Sequence, residues 1–103
     1  MQIEIIAIPP GDAPEWVRKK WLGCIFPVVE DCFDEPITDG LAAGALGGVP
    51  KNTDGYRVDT EEALRVLEGK SQEAANWWRK TMPEVWGYMS PQLVFKRGVC
   101  RVH

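Results

Sequence analysis

Three cysteines, Cys24, Cys32 and Cys100, and a single histidine, His103, are where this 103-residue chain would have to build a thiol–imidazole pair or a zinc site. A thiolate made nucleophilic by a neighbouring imidazole needs both groups in fixed orientation beside an oxyanion donor. His103 is the last residue, where fraying works against such an orientation. As zinc ligands, Cys24 and Cys32 stand too far apart for the C-x₂₋₄-C spacing of a closed site. The expectation is therefore no catalytic residue, no metal and no cofactor. Cys24 and Cys100 read as buried apolar thiols, and Cys32, in a polar stretch, as the exposed one.

Two other stretches offer chemistry and fall short. Glu30, Asp31, Asp34, Glu35 and Asp39 supply oxygen ligands but lack the alternating spacing and late bidentate Glu of an EF-hand loop. The glycines from Gly40 to Gly48 suggest a phosphate loop, yet Lys51 lies between Pro50 and Asn52, so the G-K-[ST] step is missing. A solvated acidic loop followed by a Gly-rich one, spanning 30–53, is the reading for both.

Five tryptophans, Trp16, Trp21, Trp77, Trp78 and Trp86, remain the most informative side chains. An indole buries on the order of 150–250 Å² and brings one N–H that wants a partner. Trp21 and Trp78 lie on apolar stripes and are assigned to the core. Trp16, Trp77 and Trp86 with Tyr88 are left as ligand or interface residues, Arg57 and Arg79 as cations that would orient an anionic group. A turn at Pro83 is expected to bring Trp77 and Trp86 into one patch. Arg79, Lys80, Lys96, Arg97 and Arg101 near these rings are the nucleus of a nucleic-acid surface, but a net charge of −3 argues against a strongly basic binder. The charge is unevenly placed: residues 1–75 hold 7 Lys/Arg against 14 Asp/Glu, whereas 76–103 hold 5 against Glu84 alone.

The elements that must position these side chains follow from periodicity and punctuation. Gln2 to Ile8 reads as a central strand, stopped by Pro9-Pro10-Gly11. Asp12, Pro14 and Glu15 mark a helix start, with Pro14, Val17 and Trp21 on its buried stripe, Arg18 and Lys19 turned away, and an end at Gly23. Cys24 to Val29 is a second strand, placed at an edge by Pro27. Within the 30–53 loop, Leu41 to Leu46 is a candidate short helix. Tyr56 to Val58 is a short third strand. Asp59 caps a helix buried through Ala63, Leu64 and Leu67 and ended by Gly69; Ser71 caps the next, which carries Ala74, Trp77, Trp78 and Thr81 and stops before Pro83. Gln92 to Lys96 and Val99 to Val102 are the last strands, separated by a turn at Arg97-Gly98.

One domain, 1–103, is expected from length. The class is α+β: a small bent antiparallel sheet or a partly open SH3-like barrel of four to five strands with two to four helices, the segment from Leu93 to Val102 resembling the closing turn of such a barrel. The strings Pro10-Gly11-Asp12-Ala13-Pro14-Glu15-Trp16-Val17 and Trp21-Leu22-Gly23-Cys24-Ile25-Phe26-Pro27-Val28 resemble short uncharacterised bacterial proteins encoded in mobile, integron-type gene cassettes. That resemblance implies no activity and no site. No apolar run spans a bilayer, and three cysteines that cannot all pair within one chain fit a reducing compartment, so the expected location is the cytoplasm.

The role that fits is a non-catalytic interaction module that self-associates as a homodimer through its aromatic surface. The alternative is a small-molecule-binding domain with a pocket walled by Trp77, Trp86 and Tyr88 that takes a small anionic ligand. A small enzyme is the third reading.

Overall fold

A computed structural model of the chain describes residues 1–11, 13–35, 41–42, 53–86 and 92–103, with the backbone alone at 32–35, 41–42, 53–54, 82–86 and 92. In chain order the elements are β1 (Gln2–Ile5), α1 (Glu15–Lys19), β2 (Ile25–Pro27), β3 (Glu30–Glu35), β4 (Leu41–Ala42), β5 (Thr53–Asp59), α2 (Thr60–Lys70), α3 (Gln72–Trp86), β6 (Gln92–Lys96), a 3₁₀ turn (Arg97–Val99) and β7 (Cys100–Val102). The class is α+β as expected, with three α-helices, but the described residues hold seven strands rather than four or five.

Those strands fall into two small sheets. The first, β2-β1-β7, is antiparallel, with Ile3 opposite both Phe26 and Val102. Its middle strand is β1, as the apolar run predicts, and Pro27 lies on an edge strand where its missing N–H costs no ladder bond. The second sheet has the order β3-β5-β6-β4. Its β3-β5-β6 part is antiparallel, and β4 joins β6 in parallel through Leu41↔Leu93 and Ala42↔Val94. The chain bends from one sheet into the other at two places. Val28 and Val29 carry β2 into β3, Val29 N–H donating to the Arg57 carbonyl at 2.8 Å. The 3₁₀ turn carries β6 into β7, Ile6 N–H donating to the Val99 carbonyl at 2.8 Å.

Three expectations are corrected here. Glu30–Glu35 is not loop but strand β3, where Arg57 and Arg97 neutralise two of its carboxylates: Glu30 Oε2 accepts from Arg57 at 2.8 Å and Asp31 Oδ1 from Arg97 at 2.6 Å. Leu41–Ala42 is extended rather than helical; the remainder of the 30–53 loop, including Asp39 and the 43–52 glycine-rich part, lies outside the described residues. In place of one bent sheet there are two small ones, with β6 and β7, joined by the 3₁₀ turn at Arg97–Val99, divided between them.

The helices sit where capping and periodicity put them. Asp59 accepts from Glu62 N–H at 2.9 Å to open α2, and Ser71 Oγ from Ala74 N–H at 3.2 Å to open α3. α2 packs on both sheets and on α3, and α1 packs on α3. Ala63, Leu64 and Leu67 are fully enclosed. Three helix boundaries differ from expectation: α1 ends at Lys19 rather than Gly23, α2 ends at Lys70 rather than Gly69, and α3 continues through Pro83 to Trp86. α1 opens at Pro14 without a side-chain cap and ends at Lys19, followed by turns to Gly23; Asp12 lies outside the described residues. Arg18, expected to point away, instead folds back, its Nε and Nη1 donating to the Ala13 and Pro9 carbonyls at 2.7 and 3.1 Å.

At the centre lies an aromatic cluster. Trp21 meets Phe26 edge-on at 6.0 Å, Phe95 at 5.1 Å and Trp78 at 6.2 Å between ring centroids. Trp21 and Trp78 are both fully buried, as their stripes predict. Each offset or edge-on pair adds about 0.5–1.5 kcal/mol beyond area burial. The cluster therefore clamps α1, β2, α3 and β6 together.

Candidate functional site

Of the predicted site residues, Trp16 alone stands well out of the core among those whose side chains are described. It sits on α1 with 46% of its surface exposed. Helical spacing explains its surroundings: Val17 and Trp21, four apart, turn inward, so Trp16, Lys19 and Lys20, at i, i+3 and i+4, share the outer flank. After Lys20 the chain turns sharply at Gly23, whose φ of +83° is a left-handed conformation that favours glycine. That turn aims the Leu22 carbonyl at α2, where Lys70 Nζ donates to it at 2.6 Å. A Cβ on Gly23 would come within 2.7 Å of the same Nζ.

The result is an open groove of about 410 Å³ lined by Trp16, Lys19, Lys20, Leu22 and Lys70. Among the described residues one tryptophan, one leucine and three lysines line it, and no acidic residue does. Among the described residues neither Lys19 nor Lys20 forms an ion pair. Lysines in the last turn of a helix also offset its dipole, but that dipole amounts to about half a charge per helix, against three positive charges here. The described lining residues therefore carry three positive charges.

The other predicted residues do not converge there. Trp77 is half-buried and packs edge-on against Trp78 at 5.1 Å. Arg79 pairs with Glu68 of α2, and Arg57 with Glu30 across β3 and β5. Tyr88 and the Trp86 side chain lie outside the described residues. The turn expected to bring Trp77 and Trp86 together is absent: a helix running on through Pro83 sets positions 77 and 86 about half a turn apart around its axis. Lys19, Lys20, Leu22 and Lys70 escaped the sequence reading. The spacing of Trp16 with Lys19 and Lys20 was a usable signal; nothing in the sequence announces Lys70 beside them.

The thiol and imidazole are occupied otherwise. Cys100 Sγ donates to the Lys96 carbonyl at 3.3 Å, and His103 Nε2 meets Glu4 Oε1 at 2.7 Å. Burial pushes the Cys100 thiol up to about 12, with Arg97 acting weakly in the other direction. Cys24 is enclosed and pushed up by burial to about 11, against a smaller lowering by Lys70. Both are protonated at neutral pH and are poor nucleophiles. Arg97 is held between Asp31 and the Tyr56 hydroxyl, which accepts at 2.8 Å, with its guanidinium 4.6 Å from the Tyr56 ring centre. Among the described residues no three His, Cys, Asp or Glu side chains gather into a metal-holding group, and no helix is long and apolar enough to cross a membrane. No protein-family model, no curated protein and no solved structure matches the chain.

Proposed function

We propose that this chain is a non-catalytic interaction module that takes an anionic partner in the groove beside Trp16. The observation that carries this reading is the gathering of an exposed indole and three lysines, with no acidic lining residue among those described, around one space of about 410 Å³. That volume lies within the range of small-ligand sites, about 300–1,000 Å³. It keeps the anionic ligand foreseen from the sequence but moves its cations, because Arg57 and Arg79 already serve Glu30 and Glu68. The test is amide-detected NMR with size-matched aromatic anions, neutrals and cations. Anions should shift the resonances of Trp16 to Gly23 and of Lys70. Equal shifts from neutral compounds, or shifts confined to other regions, would end the reading.

Self-association is the second reading, favoured by the exposure of Trp16 together with Ile25, Val29 and Val102. It is weaker because these aliphatics do not share one face. Ile25 lies opposite Glu4, and Val102 opposite Ile3, on the other side of the same sheet. Light scattering on wild type and Trp16→Ala decides it: a dimer that dissociates on substitution supports the reading, and a monomeric wild type at high micromolar concentration removes it.

A further inference from the structure

We infer that the groove's ligand class is a mononucleotide, a planar base stacked on Trp16 with its phosphate held by Lys19, Lys20 and Lys70. This rests on the anion-binding reading above and narrows it. Four features of the lining select this class. Trp16 is the one aromatic residue of the groove among the described residues, and a half-exposed indole on a helix flank presents a flat platform of the kind on which bases stack. The three cations are all lysines, compact point charges with rotatable donors that can meet the oxygens of a phosphate from several directions. Two of them, Lys19 and Lys20, belong to the same helix turn as Trp16, so a ring on the indole places its charged substituent within reach of both. Lys70, from α2, is held by its bond to the Leu22 carbonyl, which uses one of its three N–H donors and leaves two for a ligand oxygen.

The same lining leaves the base edge unread. Among the described residues its side chains offer no acceptor oxygen and no amide, so nothing among them distinguishes one base edge from another. Binding should therefore tolerate any base, favouring purines for their larger stacking face. A single indole accommodates a single base, so extending the ligand to an oligonucleotide should add little.

The experiment titrates the full chain with AMP, adenosine and inorganic phosphate at low ionic strength, following amide and indole N–H resonances by NMR and heats by calorimetry. AMP should bind in the sub-millimolar range, shifting Trp16, Lys19, Lys20, Leu22 and Lys70 together. Adenosine and phosphate should each bind at least about 10-fold more weakly, since each forfeits one half of the contact. Trp16→Ala should weaken AMP by about 10-fold. The Lys19→Glu/Lys20→Glu pair should weaken it at least as much, and added salt should erode wild-type binding. Both variants change exposed positions, and unaltered circular dichroism will verify that they fold. Adenosine binding as tightly as AMP, or both variants binding as wild type, would overturn the assignment. An oligonucleotide more than about 10-fold tighter than AMP would also overturn it, in favour of single strands. Other aromatic anions shifting the groove while AMP does not would remove the nucleotide class and leave the anion site standing; silence from every anion would remove both.

Discussion

Replacing Trp21 by phenylalanine and by alanine should change stability by very different amounts, and the difference follows from one buried nitrogen. Trp21 is fully enclosed against Phe26, Phe95 and Trp78, yet its indole N–H has no hydrogen-bond acceptor among the described residues. Truncation to alanine removes the whole ring and its three aromatic contacts, a change that typically costs about 3–5 kcal/mol. That is a large share of the 5–15 kcal/mol or so that holds a small domain folded. Phenylalanine keeps a ring in the cluster and removes three heavy atoms, two carbons and the nitrogen. The two carbons cost about 1.6 kcal/mol at roughly 0.8 kcal/mol each. Deleting an unsatisfied buried donor returns about 1–3 kcal/mol. The two effects nearly cancel, so Trp21→Phe should lie within about 1.5 kcal/mol of wild type while Trp21→Ala loses at least twice that. Urea unfolding followed by far-UV circular dichroism measures both, since fluorescence changes with the tryptophan content. At a slope of about 1–3 kcal/mol per molar, the alanine midpoint should fall by at least roughly 1 M. A phenylalanine variant as unstable as the alanine one would show that the indole N–H has a partner or that its shape is irreplaceable. An alanine variant that unfolds with wild type would place Trp21 outside the core.

Two further outcomes are expected. Gly55→Ala should destabilise severely, because a Cβ there would stand 2.2 Å from the Phe95 carbonyl oxygen and 2.9 Å from its carbon, and backbone on a paired central strand has no room to give; a melting temperature equal to wild type would refute the close approach of β5 and β6. Cys24 gives a pH dependence: its folded value of about 11 lies above the ordinary 9.0, so the unfolded chain releases its proton first. Stability from this thiol is therefore intact below about pH 9 and falls as pH rises towards 11, by an amount on the order of 2–3 kcal/mol. Comparing wild type with Cys24→Ala between pH 8 and 11 isolates it from Cys100, whose shift has the same sign. Parallel curves for the two proteins would refute it.

What the sequence determined by itself is what consecutive residues settle among themselves. The caps at Asp59 and Ser71, the buried stripe of Ala63, Leu64 and Leu67, and the inward faces of Trp21 and Trp78 are all local, because a helix fixes which positions share a side within a turn or two. The central place of β1 and the edge place of β2 followed in the same way, from an apolar run and a proline. What tertiary structure decided are pairings between distant residues. Glu30 and Asp31 look like a solvated loop until Arg57 and Arg97 are brought alongside, 27 and 66 residues away in the chain, and only then is a strand possible there. β6 and β7, neighbours in sequence, are divided between two sheets, β7 pairing with β1 at the other end of the chain and β6 with β5. The groove has the same origin: Trp16, Lys19 and Lys20 share a flank by helical geometry alone, but Lys70 lies 48 residues from the Leu22 carbonyl it holds. Local periodicity can place a side chain on a face. Only the packing of one face on another decides which charges meet across it.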